Sequence, residues 1–428
     1  MGQNNSTDSP NANDFMLSPG GIRSGGIHIA RTGIYIHKLL PAAVLYFFLN
    51  SAGLPLGLYY TTILSPLFFL WLYREGRHWL TLKFVVCLLP FIVAHICLGI
   101  DSPFYYARST LLLWTVYITV YAFCWALLKC RHIEILFEQL IVLNFYAAMA
   151  ALVLLFTPIK EILWNTHFEF LGDTGSGTPR LQLLTLEPSV YGQLMAPLLI
   201  FAVLRLIRSP GKRNFIYAAM ITIPMLLSQS FGGISICTAG LGVAMLPMFR
   251  RLLRQRHSIL ILALIGILLA GLLLVPNPLL LRITEVATGQ DSSIHSRTDN
   301  GFLVAFFVAS QKSLWWGVGL GQTKLLDVYG LNLGFDRAII PNSIAATFAE
   351  LGIVAVLIKF AAEIYLFFKT RVYANTLSLA MFVVAFLFQL TGSHLMNVQE
   401  YMIWILAFVP LFPRFDLQSV PNSPWCKS

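Results

Sequence analysis

Lysine and arginine fill every second gap between long apolar runs, and this alternation constrains the chain more than any other feature. The runs are residues 39–54, 56–73, 84–100, 109–128, 138–157, 188–207, 214–230, 232–249, 258–276, 343–368, 376–393 and 399–413. A helix needs about 20 apolar residues, within a range of roughly 17–25, to cross a bilayer. With both termini on one side, 20 of the Lys and Arg residues fall on that side and 8 on the other, with Lys359 inside a run. Positive loops stay cytoplasmic, so the bias orients the chain with both ends inside. It also checks the number of runs, because one missed or extra helix would scramble the alternation downstream. The expected fold is an all-α polytopic membrane protein with about twelve transmembrane helices.

Composition excludes the main competitors. Only 11% of the 428 residues are charged, against about 25% in soluble domains. The net charge of +10 is accounted for by orienting loops, so nucleic acid is not an expected partner. The six cysteines form no CxxC, and none lies in an outer segment. No disulfide framework, metal or cofactor is expected. Residues 1–37 are polar and lack an apolar core segment, so they read as a disordered cytoplasmic tail rather than a signal peptide. Residues 38–414 then form one transmembrane domain, and 415–428 a second tail.

Two outer connections are long, about 158–187 and 277–342. They hold Trp164, Phe168, Trp315, Trp316 and Phe335, which predicts order rather than disorder. The stretch 302–316 is interrupted by Ser310-Gln311-Lys312-Ser313 and is expected to lie at the interface or re-enter the membrane. The same connections carry isolated arginines, Arg180, Arg282, Arg297 and Arg337. Arginines held on the outer face against the orientation rule predict an anionic ligand, either a lipid-linked diphosphate or an acidic glycan.

Four segments carry candidate chemistry. In the first, Arg180 precedes Glu187-Pro188-Ser189, and Pro188 suits the first turn of a helix. Glu187 then sits at a helix mouth, either as a base for a sugar hydroxyl, as a cap complementing the dipole, or as a partner of Arg180. In the second, His295-Ser296-Arg297-Thr298-Asp299 offers a phosphate contact or a local Arg297–Asp299 pair. The third, Trp316-Gly317-Val318-Gly319-Leu320-Gly321, allows close backbone approach. It lacks the βαβ context of a dinucleotide site. In the fourth, Arg337 and Pro341-Asn342-Ser343 open a helix whose N-terminus is an anion cradle. Glu350 and Lys359 lie deeper in that run, nine residues apart and hence on opposite faces of a straight helix. Serines of the Ser228-Gln229-Ser230-Phe231-Gly232-Gly233 turn read as helix-packing residues.

In this order, these motifs resemble the bacterial O-antigen polymerase (Wzy) and O-antigen ligase (WaaL) superfamily, over about residues 140–370. The resemblance implies a GT-C-like, metal-independent glycosyltransferase of the bacterial inner membrane, with its site facing the periplasm. It would act on undecaprenyl-diphosphate-linked glycan as donor and acceptor, beside flippase and chain-length regulator proteins. By the same resemblance Arg180 and Arg297 bind donor or acceptor phosphate and glycan and Glu187 is a base or positions the acceptor, which makes Glu187 and Arg297 the candidate catalytic residues. Arg180, Arg282, His295, Arg337 and Asn342 contact diphosphate or glycan. Many ligase-like members carry His-Asn where this chain has Pro341-Asn342, and its Glu-Pro-Ser turn resembles exopolysaccharide and capsule polymerases. Polymerase is therefore preferred to ligase or to protein O-oligosaccharyltransferase. A polysaccharide or lipid transporter is the alternative of another class. It would need internal repeats and mid-membrane polar residues, whereas the unusual polar residues of this sequence gather at the outer rim.

Overall fold

A computed structural model describes residues 53–54, 58–129, 133–158, 160–165, 179–185, 187–248, 288, 299–325, 340, 342–392, 395–409 and 411–417. These residues are overwhelmingly helical. In chain order the helices are α1 (Tyr60–Arg74), α2 (Trp79–Leu98), α3 (Pro103–Lys129), α4 (Ile133–Leu154), α5 (Lys160–Leu163) and α6 (Pro188–Arg208). There follow α7 (Lys212–Leu227), α8 (Phe231–Met245), α9 (Asp299–Ser310), α10 (Ser343–Lys369), α11 (Thr376–Thr391) and α12 (Val398–Phe408). Two short antiparallel ribbons accompany them: β1 (Gly53–Leu54) with β2 (Leu58–Tyr59), and β3 (Trp164–Asn165) with β4 (Arg180–Leu181). Ten of the expected runs fall on these helices. Those at 39–54 and 258–276 lie outside the described residues, apart from the ribbon residues 53–54.

Burial is inverted relative to a soluble protein. Along α2 the buried residues are Thr81, Leu88 and His95, while Val86, Leu89, Val93 and Ile96 are exposed. A seven-residue spacing keeps one stripe facing its neighbours, and here two of three residues in that stripe are polar. Apolar side chains pointing outward all along a helix fit a lipid boundary and not water. Among the described residues five helices, α2, α3, α4, α6 and α10, are long and apolar enough to cross a membrane, α10 being counted across a break at Gly352.

The centre of the bundle is α6, whose Tyr191, Met195, Ile200 and Phe201 are fully or almost fully buried. It packs among α4, α7, α8, α11 and α12 in one continuous apolar core. A satellite cluster joins α1 to α3 through Leu72, Ile118 and Ala122. A second joins α2 and α3 to the residue 320 loop and α10 through Leu88, Tyr106, Leu113, Leu320 and Leu351.

One end of this bundle is basic. Arg205 and Arg208 close α6, and Lys212 and Arg213 open α7 beside them. Glu138 of α4 accepts from Arg205, from Arg213 at 2.7 Å and from the Tyr217 hydroxyl at 3.2 Å. Arg208 donates to the Asp416 carbonyl at 2.7 Å, and Asp416 takes the amide of Asn375, the cap of α11, at 2.7 Å. Arg414 pairs with Glu134 at 3.1 Å. Arg205, Arg208, Arg213 and Arg414, four of the arginines expected on the cytoplasmic side, thus gather at one end.

Candidate functional site

The opposite end is built from helix starts. Pro188 opens α6, and Glu187 stands before it in extended conformation at the cap position. Its side chain does not cap the helix. The carboxylate is exposed and accepts the Ser189 hydroxyl at 2.9 Å. The loop ahead of it is pinned from both sides: the Thr185 hydroxyl reaches the Glu187 carbonyl at 2.9 Å and the Gln182 carbonyl at 2.7 Å.

Arg180 is one step further back, in β4, opposite Asn165. The ribbon is anchored by the Trp164 indole, which donates to the Ala151 carbonyl of α4 at 2.8 Å. The Arg180 guanidinium turns to the α7–α8 junction, with Nη2 3.3 Å from the Gln229 carbonyl and Nε 3.5 Å from that of Ser228. It does not pair with Glu187. Ser230 caps α8, accepting from the Gly233 amide at 3.3 Å. A Cβ added to Gly192 would stand 2.7 Å from the Ser230 hydroxyl. The Glu-Pro-Ser turn and the Ser-Gln-Ser-Phe-Gly-Gly turn, separated in sequence, are therefore one packed corner.

A second corner is made by α10, which is two helices rather than one. Gly352 has φ +76° and ψ −178°, far from helical geometry and open almost only to glycine. In a straight helix Ser343 and Lys359 would stand about 24 Å apart. Here Lys359 Nζ donates to Ser343 Oγ at 3.1 Å, so the segments on either side of Gly352 fold back against each other. The expectation that Glu350 and Lys359 do not pair holds for this reason and not because of helical phase, since the straight helix assumed for it does not exist. Their carboxylate and amine go to different partners.

The groups freed by this break are taken up by the glycine motif. Val318 and Gly319 amides donate to the Ala349 and Glu350 carbonyls at 2.9 and 3.0 Å. In return the Ile353 and Val354 amides reach the Leu314 and Trp315 carbonyls at 2.9 and 3.4 Å. Gly317 explains why a glycine is needed: its φ is +73°, and a Cβ there would sit 2.5 Å from the Glu350 carbonyl carbon. Irregular backbone inside a membrane is tolerated where protein satisfies it in this way. After the twelve-residue α9, the segment expected to lie at the interface or re-enter is thus followed by a loop that completes a broken helix.

Side chains lock the loop to α2 and α3. Gln322 brackets Ser102, accepting from its amide at 2.9 Å and donating to its carbonyl at 3.0 Å. Lys312 pairs with Asp101 at 2.7 Å. His95 stands 2.7 Å from the Trp316 carbonyl and 3.0 Å from the Tyr106 hydroxyl. A carbonyl only accepts, so Nε2 of His95 carries the proton and Nδ1 accepts from Tyr106. Glu350 is buried at the break and accepts the Thr323 hydroxyl at 2.8 Å. Beside it, partial burial and the neighbouring charge of Arg108 hold the Lys324 amine below the ordinary lysine range, against the opposing pull of Glu350.

The two corners meet at the end of α11. Asn342 caps α10, accepting from the Ile344 and Ala345 amides at 3.0 Å each, while its amide nitrogen donates to the Leu390 carbonyl at 2.7 Å. Gln193 of α6 donates to the Gly392 carbonyl at 2.7 Å and accepts from Asn397, the cap of α12, at 3.2 Å. Among the sequence-predicted site residues, Arg180, Glu187 and Asn342 therefore share one end of the bundle. Arg282, His295, Arg297 and Arg337 lie outside the described residues.

The bundle also holds a buried polar set of which the sequence singles out only Lys359. Lys359 pairs with Glu400 of α12 at 2.9 Å, and Glu363 accepts from Gln389 of α11 at 3.1 Å. The expectation that the unusual polar residues gather at the outer rim is qualified by this buried set. A signal existed: Lys359 and Glu363 are four apart, on one helix face, inside a run that otherwise reads as apolar. Partners on α11 and α12 were not legible, because a single Gln or Glu near the end of a run looks like a boundary residue. No protein-family model matches the chain, and no curated protein matches it in sequence.

Proposed function

We propose that this chain is a multi-pass glycosyltransferase of the bacterial inner membrane that polymerises undecaprenyl-diphosphate-linked oligosaccharide repeat units on the periplasmic face. The observation that carries this reading is the gathering of Arg180, Glu187 and Asn342 at the bundle end away from the Arg205–Arg213–Arg414 end. Positive residues mark the cytoplasmic side, so this rim is the outer one.

The chemistry asks little of the protein. A lipid diphosphate is already an activated leaving group. Transfer then needs cationic stabilisation of the departing phosphate and a base for the acceptor hydroxyl. Arginine supplies the first in bidentate form without a metal. Glu187, whose exposed carboxylate accepts from Ser189, keeps oxygen lone pairs for the second. The resemblance adds Arg297 to the catalytic pair and Arg282, His295 and Arg337 to the phosphate contacts. The preference for polymerase over ligase rests on Pro341-Asn342 and the Glu-Pro-Ser turn.

A transporter is the second reading, and the Lys359–Glu400 and Glu363–Gln389 contacts favour it together with the break at Gly352. Discontinuous helices and interior ionisable groups are what transporters use to bind and move cargo. Glycan profiling separates the readings, in a deletion strain complemented with wild type, Glu187→Gln, Arg180→Ala or Arg297→Ala at matched membrane levels. Accumulation of single lipid-linked repeat units with loss of long chains supports the polymerase. Long chains left on the carrier lipid support a ligase. Unchanged profiles from well-expressed variants overturn the site and leave the transporter.

A further inference from the structure

The interior set joining α10, α11 and α12 has an unbalanced inventory. It holds one amine, Lys359, two carboxylates, Glu363 and Glu400, and the amide of Gln389. Glu363, Gln389 and Glu400 are at most 7% exposed. The Lys359 amine is committed to Glu400 Oε1 at 2.9 Å and Ser343 Oγ at 3.1 Å. The Gln389 amide nitrogen is committed to Glu363 Oε2 at 3.1 Å. Three atoms are left buried with no hydrogen-bond partner: Glu363 Oε1, Gln389 Oε1 and Glu400 Oε2. Tyr401, the other titratable group facing both carboxylates, spends its hydroxyl on the Leu395 carbonyl at 2.8 Å.

All three orphans are acceptors, so the set lacks a donor. It also lacks a positive charge, since two carboxylates share one lysine. Buried unpaired acceptors and an uncompensated buried charge are both unfavourable. One proton balances the charge and relieves two of the three orphans. Added to Glu363 Oε1, it forms an O–H that donates to a neighbouring orphan oxygen and leaves the set neutral.

We propose that Glu363, Gln389 and Glu400, with Lys359, form a proton-binding site in the bundle interior that holds one exchangeable proton on Glu363. Release of that proton turns Glu363 into a second anion competing for the Lys359 amine. Lys359 also holds Ser343, the first residue of the half-helix that Asn342 caps at the rim. Proton occupancy is thereby linked to the start of that half-helix, and so to the outer corner of the molecule. The site belongs to the interior and stands whether the rim transfers glycan or moves cargo.

Infrared difference spectroscopy on the full chain in nanodiscs tests this by titrating the carboxylic-acid C=O band with pH. Glu350→Gln is used as the background, because Glu350 is the other buried carboxyl at α10. The expected result is one band that shifts in D₂O, falls away at alkaline pH, disappears in Glu363→Gln and moves in frequency in Glu363→Asp. Absence of the band across the pH range in which the protein stays folded overturns the proposal. So does loss of the band on adding Na⁺ at constant pH, which would make this a metal-cation site. A melting comparison covers poor expression of one variant. Gln mimics protonated Glu, so Glu363→Gln should match wild type at neutral pH and lose its alkaline destabilisation. A Glu363→Gln protein that melts well below wild type at neutral pH means Glu363 is ionised, and the proposal fails.

Discussion

Replacing Gly352 by alanine tests whether the break in α10 is built in or incidental. Two costs can be worked from the structure. A non-glycine residue held at φ +76°, ψ −178° carries strain of about 1–3 kcal/mol. The new Cβ would also overlap the Trp315 carbonyl, pushing away the loop that makes four backbone hydrogen bonds across the break. Each such bond is worth about 1 kcal/mol net, and loss of half of them brings the total to about 3–5 kcal/mol. At 1.4 kcal/mol per factor of ten, opening of the loop should rise roughly 100- to 4,000-fold. Hydrogen–deuterium exchange of peptides covering 314–321 and 349–354 reads this directly. Gly242→Ala is the control, since its Cβ would meet open space and alanine suits a helix interior. Gly352→Ala exchanging no faster than wild type in these peptides would refute the account of the loop as the missing strand of hydrogen bonds.

Lys359→Met should destabilise by about 3–5 kcal/mol, because it leaves the Glu400 carboxylate, 1% exposed, without its cation; adding Glu400→Leu should restore most of the melting temperature. At the basic end, Glu138→Gln should lower the melting temperature clearly, since it leaves Arg205 and Arg213 facing each other without a carboxylate. Glu134→Gln, whose partner Arg414 is 62% exposed, should cost under about 1 kcal/mol. Lys324 gives a pH signature. Its folded amine lies below the ordinary lysine value, chiefly through burial and then Arg108, so in that interval the unfolded chain binds the extra proton. Stability should therefore rise as pH climbs from the folded value toward the ordinary lysine range, and Lys324→Gln should flatten that rise in a pH-melting series.

Much of the helical frame was legible because membrane solvent imposes a coarse rule: apolar length and the side on which the positive charges fall. α6, α7 and α11 begin and end within a few residues of the runs at 188–207, 214–230 and 376–393. The close approach implied by three alternate glycines is also found, at Gly317 against Glu350. What hydropathy cannot see is direction. The run at 343–368 reads as one span, since its apolar content is continuous through Gly352, yet the backbone reverses there. A single glycine in an apolar run carries no signal of that by itself. It becomes meaningful only with a second segment rich in free amides and carbonyls, and that segment lies about thirty residues earlier. The same blindness hid Glu400, whose partner Lys359 lies on another helix.

The broken helix ties the rim to the interior. Asn342 needs the end of α11, through Leu390, to hold its position. Ser343, next in the chain, needs Lys359, and Lys359 needs Glu400. From the break onward, Glu350 needs Thr323, and its loop needs Gln322 on Ser102, just ahead of α3. A straight span would carry none of these dependencies, because its backbone would be satisfied within itself. Folding it at Gly352 makes one half-helix, Ser343–Leu351, answer to four neighbours: α11 at its cap, the interior lysine at its first turn, the glycine loop at its last, and α3 behind that loop. A ligand that displaced the start of this half-helix would therefore work against the Lys359–Glu400 pair. Variants of Lys359 and Glu400 should alter amide exchange at the start of this half-helix, which Lys359 reaches through Ser343.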